Sequence, residues 1–319
     1  MEFIDQLVAM MPMVLFYSAP LIFTAIGGVF SERSGVVNIG LEGLMVIGAF
    51  SGIVFNIFFA DTLGAATPWL SLVAGAIAAG IFSIMHAVAA VSFRANQVVS
   101  GVAINMMAVG LGVFLTREIF GRGQTDSITQ PFYTETIPFL SEIPIIGDMF
   151  FNGVYITSYI AIGVAVLAWF VLYKTTFGLR LRAVGEHPMA ADTNGINVTK
   201  MRYIAVILSG LLAGLGGATY ALTISLSFAG STISGQGFMS LAAVIFGKWH
   251  PLGALGAAVF FGFAQALSVV GNNFDFLSEV PSVYLVILPY VLTVLALAGF
   301  IGRAEAPKAN GEPYIKGSR

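Results

Sequence analysis

Eight stretches of this chain each run for at least 18 residues without one charged side chain. They are Gln6 to Ser31, Gly43 to Ala60, Thr62 to Phe93, Ala95 to Thr116, Met149 to Tyr173, Tyr203 to Gly247, Pro251 to Phe274 and Val280 to Gly302. A helix crossing roughly 30 Å of hydrocarbon at about 1.5 Å per residue needs about 20 residues, so each tract is a candidate span and Tyr203 to Gly247 is long enough for two. Inside a bilayer every backbone amide and carbonyl must find its partner within the protein, which restricts such segments to helices. The expectation is an all-α polytopic membrane protein of about nine transmembrane helices, with eight to ten as the range. Composition agrees: 57% of residues are hydrophobic and 9% charged, against about 45–50% and about 25% in soluble domains.

The placement of charge orients the spans. With the amino terminus outside and nine crossings, the cytoplasmic segments carry Arg33, Arg94, Lys174, Arg180, Arg182, Lys200, Arg202, Lys248, Arg303, Lys308, Lys316 and Arg319, which is 12 of the 14 basic residues. Arg117 and Arg122 stay outside, near a loop that also holds Asp126, Glu135, Glu142 and Asp148. That distribution follows the positive-inside rule. Glu2 and Asp5 precede the first span where a secretory signal would be basic, so it reads as a retained helix. The polar run Ser225 to Gly237 is the weak point of this topology. A re-entrant half-helix there would send Arg303, Lys308, Lys316 and Arg319 outside, against the charge bias.

Much chemistry is excluded. A net charge of -2, from 14 basic and 16 acidic side chains, is too small and too balanced to give a nucleic-acid footprint. There is no cysteine, so thiolate metal sites and cysteine nucleophiles drop out. No GxxxxGK[ST] run exists to cradle a nucleotide phosphate. His86, His187 and His250 lie on separate segments without metal-ligand spacing, and no GxSxG elbow is present. Neither catalytic residues nor a cofactor is expected. Of the 37 glycines, those at helical spacing, such as Gly210, Gly214 and Gly217, read as packing positions between helices.

Three features carry functional expectation. The first is the cytoplasmic loop Lys174 to Arg202, where Pro188 opens and Asn194-Gly195 closes a short helix over Pro188 to Thr193. With Met189, Ala190, Ala191 and Ile196 as small or apolar knobs between Glu186 and Asp192, it has the form of a projection that seats in another protein; a helix lying in the headgroups is the alternative. The second is the run Ser34 to Phe50, in which Glu42 is the one acid of an apolar span and Asn38, four residues earlier, shares its face if both are helical. A carboxylate at that depth faces the bundle interior or a wet cavity, as a pathway group or as an interhelical anchor. The third is Ser231 to Gly237, which has the look of a discontinuous helix; Gly40 to Gly52 and Gly235 to Gly247 are both glycine-bounded, polar at the start and apolar after. Paired interruptions in two halves point to a solute route, giving Asn38, Glu42, Asn105, Ser234 and Gln236 as pathway candidates. Isolated polar residues such as His86, Asn105 and Gln265 also suit plain interhelical hydrogen bonds.

At ERSGVVNIGLEGLMVIGAF, RAVGEHPMAADTNGINVTKMRYIAVILSGLLAGLGGATYAL and AAVIFGKWHPLGALGAA, the chain resembles permease subunits of ABC importers, in the branch that serves branched-chain amino acids, simple sugars and nucleosides. The likeness runs from about Val29 to Gly302, and the block with Asn38 and Glu42 is most similar to nucleoside-type permeases; the Gly-Gly-Ile-Asp-Leu-Ser stretch usual in sugar permeases is replaced by Gly35 to Leu41. The resemblance implies a type II importer architecture: one transmembrane permease domain over residues 1–319, a cytoplasmic loop 174–202 with its coupling helix, and a cytoplasmic tail 303–319. It implies that Glu186, His187, Pro188, Met189, Ala190, Ala191, Asp192 and Gly195 form the ATPase-coupling surface. It also implies a cytoplasmic ABC ATPase, a second homologous permease, an extracellular or periplasmic lipid-anchored binding protein, and a bacterial cell membrane setting. Permeation of sugars or branched-chain amino acids is the alternative. The rival of another class is an intramembrane enzyme with Glu42 and His86 as acid and base, which would turn over without an ATPase.

Overall fold

The computed structural model describes residues 2–274, 280–299 and 305–316. Its elements follow the charge-free tracts. Helix α1 spans Glu2–Arg33, α2 Leu41–Leu63, α3 Thr67–Ala87 and α4 Gln97–Phe120. A loop with the strand pair β1 (Thr134–Glu135) and β2 (Val154–Tyr155) and the short α5 (Ile146–Phe150) leads into α6 (Ile156–Lys174). Then come α7 (Thr176–Glu186), α8 (Pro188–Thr193), α9 (Val198–Tyr220), α10 (Gln236–Phe246), α11 (Pro251–Val270) and α12 (Ser282–Gly299). Single π-turns, Val88–Ser92 and Ala221–Ser225, extend α3 and α9.

Six helical runs are long and apolar enough to cross a membrane: Asp5–Arg33, Leu41–Ser92, Gln97–Phe120, Ile156–Lys174, Val198–Ser225 and Pro251–Asn273. Length and composition of the described helices therefore give six, against the nine expected. Two causes of the difference are visible. Leu41–Ser92 is 52 residues long, but it folds back at Gly64, so that Gly48 packs on Gly75 and Gly52 on Ser71. And α10, with 11 residues, spans only about 16 Å at the α-helical rise, half of a bilayer core.

The polar run before α10 nonetheless carries the chain from one end of the bundle to the other. At the α9 exit, Thr125 N–H donates to the Phe228 carbonyl and Ile128 N–H to that of Leu226, both at 2.9 Å. Beyond α10, the Trp249 carbonyl accepts from Arg33 Nε at 2.7 Å. Arg33 sits at the opposite end, where Gly185, Gly35 and the start of α9 gather. The segment between is a non-helical run of bends and turns followed by a half-length helix, not a hairpin that returns to its own side.

Helix packing rests on close backbone approach. A Cβ at Gly217 of α9 would collide with the Met45 carbonyl of α2, and one at Gly214 with Ala79 of α3, which is the role small residues play where no hydrophobic drive separates helix from lipid. The bundle is held by two large apolar clusters. One joins α1, α6, α9, α10 and α11 around Phe23, Ile26, Ala165, Ala243 and Phe261. The other joins α2, α3, α4 and α9 around Leu44, Ile53, Ala79 and Ala218.

Several readings of the sequence need correction. Residues 174–202 are not a loop with one helix; α7 precedes α8, capped by Thr175, whose Oγ1 accepts from Gly178 N–H at 3.3 Å. Its buried face is Gly178, Leu181, Val184 and Gly185, with only two apolar side chains to mark it. Asn38 is not helical: α2 starts at Leu41, and residues 34–40 run from a turn through an irregular stretch at 36–38. Residues 39 and 40 form a second turn, and the shared helical face with Glu42 does not exist. Arg202, placed by the sequence among the loop charges, is only 1% exposed. Arg303 and Arg319, and the ends of the expected tail 303–319, lie outside the described residues. Residues 305–316 of that tail pack beneath the bundle: Ala309 N–H donates to the Gly185 carbonyl at 2.9 Å, Arg202 Nη1 to the Glu312 carbonyl at 2.8 Å, and Lys316 Nζ lies 3.9 Å from Asp192.

Candidate functional site

The two interrupted segments meet. Glu42 stands in the first turn of α2, just after the irregular stretch 36–40, and it is 7% exposed. One carboxylate oxygen accepts from Gly235 N–H at 2.5 Å and the other from Gly237 N–H at 2.6 Å. These are amides at the start of α10, the groups a helix leaves without internal partners. A carboxylate placed there satisfies both and complements the positive end of the helix dipole. In hydrocarbon no water could do this. Gly235 has φ +98°, and a Cβ on Gly237 would strike the Glu42 backbone, so the contact requires glycine at both places.

The remaining pathway candidates frame this contact. Asn105 of α4 accepts from Gly43 N–H at 2.8 Å and donates to the Ile39 carbonyl at 3.0 Å, clamping the start of α2 from both sides. Asn38, fully buried, donates to Ser209 Oγ of α9 at 2.9 Å and accepts from Gly40 N–H at 3.1 Å. Gln236 turns its side-chain oxygen back to Ser234 N–H at 2.5 Å, and the Tyr290 hydroxyl of α12 reaches the Ser234 carbonyl at 3.5 Å. Four of the five candidates are thus joined around the α2 and α10 starts, and Asn38 anchors the approach to them.

His86 belongs elsewhere. Its ring nitrogens lie 3.0 Å from Ser100 Oγ and 3.0 Å from the Val37 carbonyl, tying α3 to α4 and to the irregular stretch before α2. Glu42 shares none of these partners, so the acid–base pair of an intramembrane enzyme finds no geometry here.

At the end of the bundle that holds Arg33, α8 occupies Pro188–Thr193 with Pro188 at its first turn, and Gly195 follows at φ +81°. His187 and Ala190 are exposed, and Met189 is 41% exposed. Ala191 is not a knob: at 4% exposure it packs into the apolar core. Glu186 lies 3.9 Å from Arg33, and Asp192 faces Lys316. Beside α8 runs a groove of about 800 Å³ lined by Leu179, Ala183, His187, Ala190 and Met201 among others. On its other side, a second groove of about 690 Å³ includes Arg94, Lys200 and Lys316.

Two parts of the structure have no counterpart in the sequence reading. The Glu32 carboxylate accepts from Trp249 Nε1 at 2.5 Å and Asn310 Nδ2 at 3.2 Å, joining α1, the α10–α11 turn and the tail. The second is a cavity of about 270 Å³ next to the α10 start, lined by Tyr17, Tyr220, Gln236, Gln265, Ser268 and Tyr290 among others. Its residues come from five helices, so no local spacing betrays it.

Residues 10–297 match the family described as branched-chain amino acid transport system / permease component. The guanosine ABC transporter permease protein NupQ of Bacillus subtilis is 62% identical over 319 residues, covering 100% of both chains. The nucleoside ABC transporter permease protein NupC of Lactococcus lactis is 52% identical over 316 residues, 99% of each. A putative glucose ABC transporter permease protein of Haloferax volcanii, TsgC13, is 35% identical over 253 residues, 78% of this chain and 73% of its own.

Proposed function

This chain belongs to the family of branched-chain amino acid transport system permease components, and from that premise we propose that it carries nucleosides across a bacterial cytoplasmic membrane. It is a multi-pass permease subunit of an ABC transporter and not an enzyme. The observation that carries the substrate class is the end-to-end identity of 62% and 52% to permeases named for guanosine and nucleosides, against 35% over part of the chain for one named for glucose.

The solute route in this reading passes the meeting point of α2 and α10. Glu42 holds the half-helix end at mid-depth by accepting from two backbone amides, so its charge serves the frame of the route. Asn38 and Asn105 hold the stretch before α2 in place, and Ser234 and Gln236 present polar groups to the solute. Discontinuous helices at the bilayer midplane are where transporters commonly place such groups. Power comes from a separate ATPase that seats against α8 through His187, Pro188, Met189 and Ala190, with its flanking grooves receiving the ATPase surface. Glu186, Ala191, Asp192 and Gly195 hold α8 in place for it. A second permease completes the channel, and a binding protein delivers solute to the outer face.

The test is uptake by the assembled transporter in proteoliposomes, with guanosine, adenosine, uridine, ribose, glucose and leucine offered in parallel. ATP-dependent uptake confined to the nucleosides supports the reading. Uptake of ribose, glucose or leucine without nucleosides overturns it.

A further inference from the structure

We propose that the cavity beside the α10 start is a binding site for the uncharged base of a nucleoside, a site within the route that rests on the nucleoside reading above. Its walls come from α1, α9, α10, α11 and α12 through Tyr17, Tyr220, Gln236, Gln265, Ser268 and Tyr290. Three tyrosine rings around one space of about 270 Å³ offer faces on which a planar heteroaromatic ring stacks. Amide side chains supply the paired donor and acceptor that a base edge matches. The Gln236 side chain is fixed in orientation, because its oxygen accepts from Ser234 N–H at 2.5 Å, which directs its nitrogen to Tyr220. Gln265 has a weak contact from Nε2 to Met239 sulfur at 3.7 Å, which leaves its oxygen available to a ligand. Ser268 already donates to the Gln265 backbone carbonyl at 2.7 Å and so presents a lone pair.

The charge of the lining sets the selectivity. None of the described residues lining the cavity is Asp, Glu, Lys or Arg, and the nearby Glu42 spends both oxygens on Gly235 and Gly237. A phosphate would enter with no cation to pair it and would lose its hydration uncompensated. The site therefore accepts nucleosides and rejects nucleotides. A saturated sugar ring has hydroxyls for the amides but no planar face of a base for the tyrosines. The volume is just under the roughly 300 Å³ at which small-solute pockets begin, and the cavity is open past Tyr290 and Val269, both about half exposed. The base fits inside, and the ribose lies in that opening.

The probe is tritiated guanosine bound to the detergent-purified complex of both permeases and the ATPase, without the binding protein. Tyr220→Leu and Gln265→Leu are expected to weaken binding about tenfold, the worth of one stacked or paired base. Tyr220→Phe, which keeps the ring, stays within about twofold of the parent. Tyr290→Leu alters an exposed residue and is expected to weaken binding likewise even if the buried variants fail to assemble. Guanosine monophosphate is expected not to compete. Unchanged binding in Tyr290→Leu together with either assembled buried variant overturns the proposal, as does competition by the monophosphate equal to that by guanosine. A parent complex that drives guanosine uptake yet binds none also overturns the cavity and spares the function; a parent that takes up no nucleoside overturns the function itself.

Discussion

Glu42 accepts on both oxygens, and that decides how its substitutions behave. Glu42→Gln replaces one acceptor by an NH₂ group facing a backbone N–H, leaving a buried donor unsatisfied at about 1–3 kcal/mol. Glu42→Leu orphans both amides and is expected to cost more. The measurement is thermal unfolding of the assembled complex in detergent, with Glu42→Gln below the parent and Glu42→Leu below both; equal midpoints for the three would mean that the amides find other partners. Gly237→Ala is expected to be as damaging as Glu42→Leu, because its methyl would displace the Glu42 backbone. Glu42 is conspicuous in the sequence, since a lone acid in an apolar run must be buried against something. Its partners are not, because Gly235 and Gly237 are 193 and 195 residues away and a backbone amide has no residue signature. Asn38 misleads for a related reason: spacing of four implies a shared face only within a helix, and Gly35 at φ +87° marks a turn that ends α1 before the irregular stretch 36–38.

Among the elements, α8 is legible to the residue, since Pro188 and Asn194-Gly195 are start and stop signals with a conformational cause. Its faces are not, because two adjacent alanines look alike until packing separates them. Met189→Glu and Ala190→Glu, on the exposed side, are expected to abolish solute-stimulated ATP hydrolysis while the permease still inserts and folds. Ala191→Glu would bury a charge in the core and is expected to lower yield instead. Stimulation at the parent level in Met189→Glu with Ala190→Glu would remove α8 from the coupling surface. Helix α7 is invisible in the sequence because Leu181 and Val184 are too few apolar positions to show a period; its stability comes from tertiary contact, including Gly178 and Gly185 against neighbouring backbone. The tail shows there only as a carrier of positive charge. In the fold it gives Arg202 a hydrogen bond from below and pairs Lys316 with Asp192. Deleting residues 305–319 is expected to lower the unfolding midpoint of the complex by leaving that buried guanidinium without its acceptor, whereas an unaltered midpoint would show that the tail is dispensable.

For the whole molecule, the charge-free tracts mark a fold built in lipid, and the basic residues set the expectation of which end faces the cytoplasm. In the fold Arg33, Lys248, Glu186, Arg202 and Lys316 gather at one end, and Arg122 with the loop 121–132 lies at the other. What the tracts do not show is that one descent is half bends and turns and half helix, since polar residues that break a helix look the same whether the chain turns back or goes on. A cysteine at Lys308, which is exposed, is expected to react only from the cytoplasmic side and one at Glu135 only from outside; reaction of both from one face would contradict the topology. The central claim is that solute passes where α2 and α10 begin. Because the chain contains no cysteine, a single Ser234→Cys variant, assembled with cysteine-free partners in proteoliposomes, reports on that point alone. The rate at which a small hydrophilic thiol reagent modifies it during ATP-driven turnover is the direct measurement. Guanosine is expected to slow the modification, and modification to block guanosine uptake; a rate indifferent to guanosine, with uptake intact after complete modification, would place the route elsewhere.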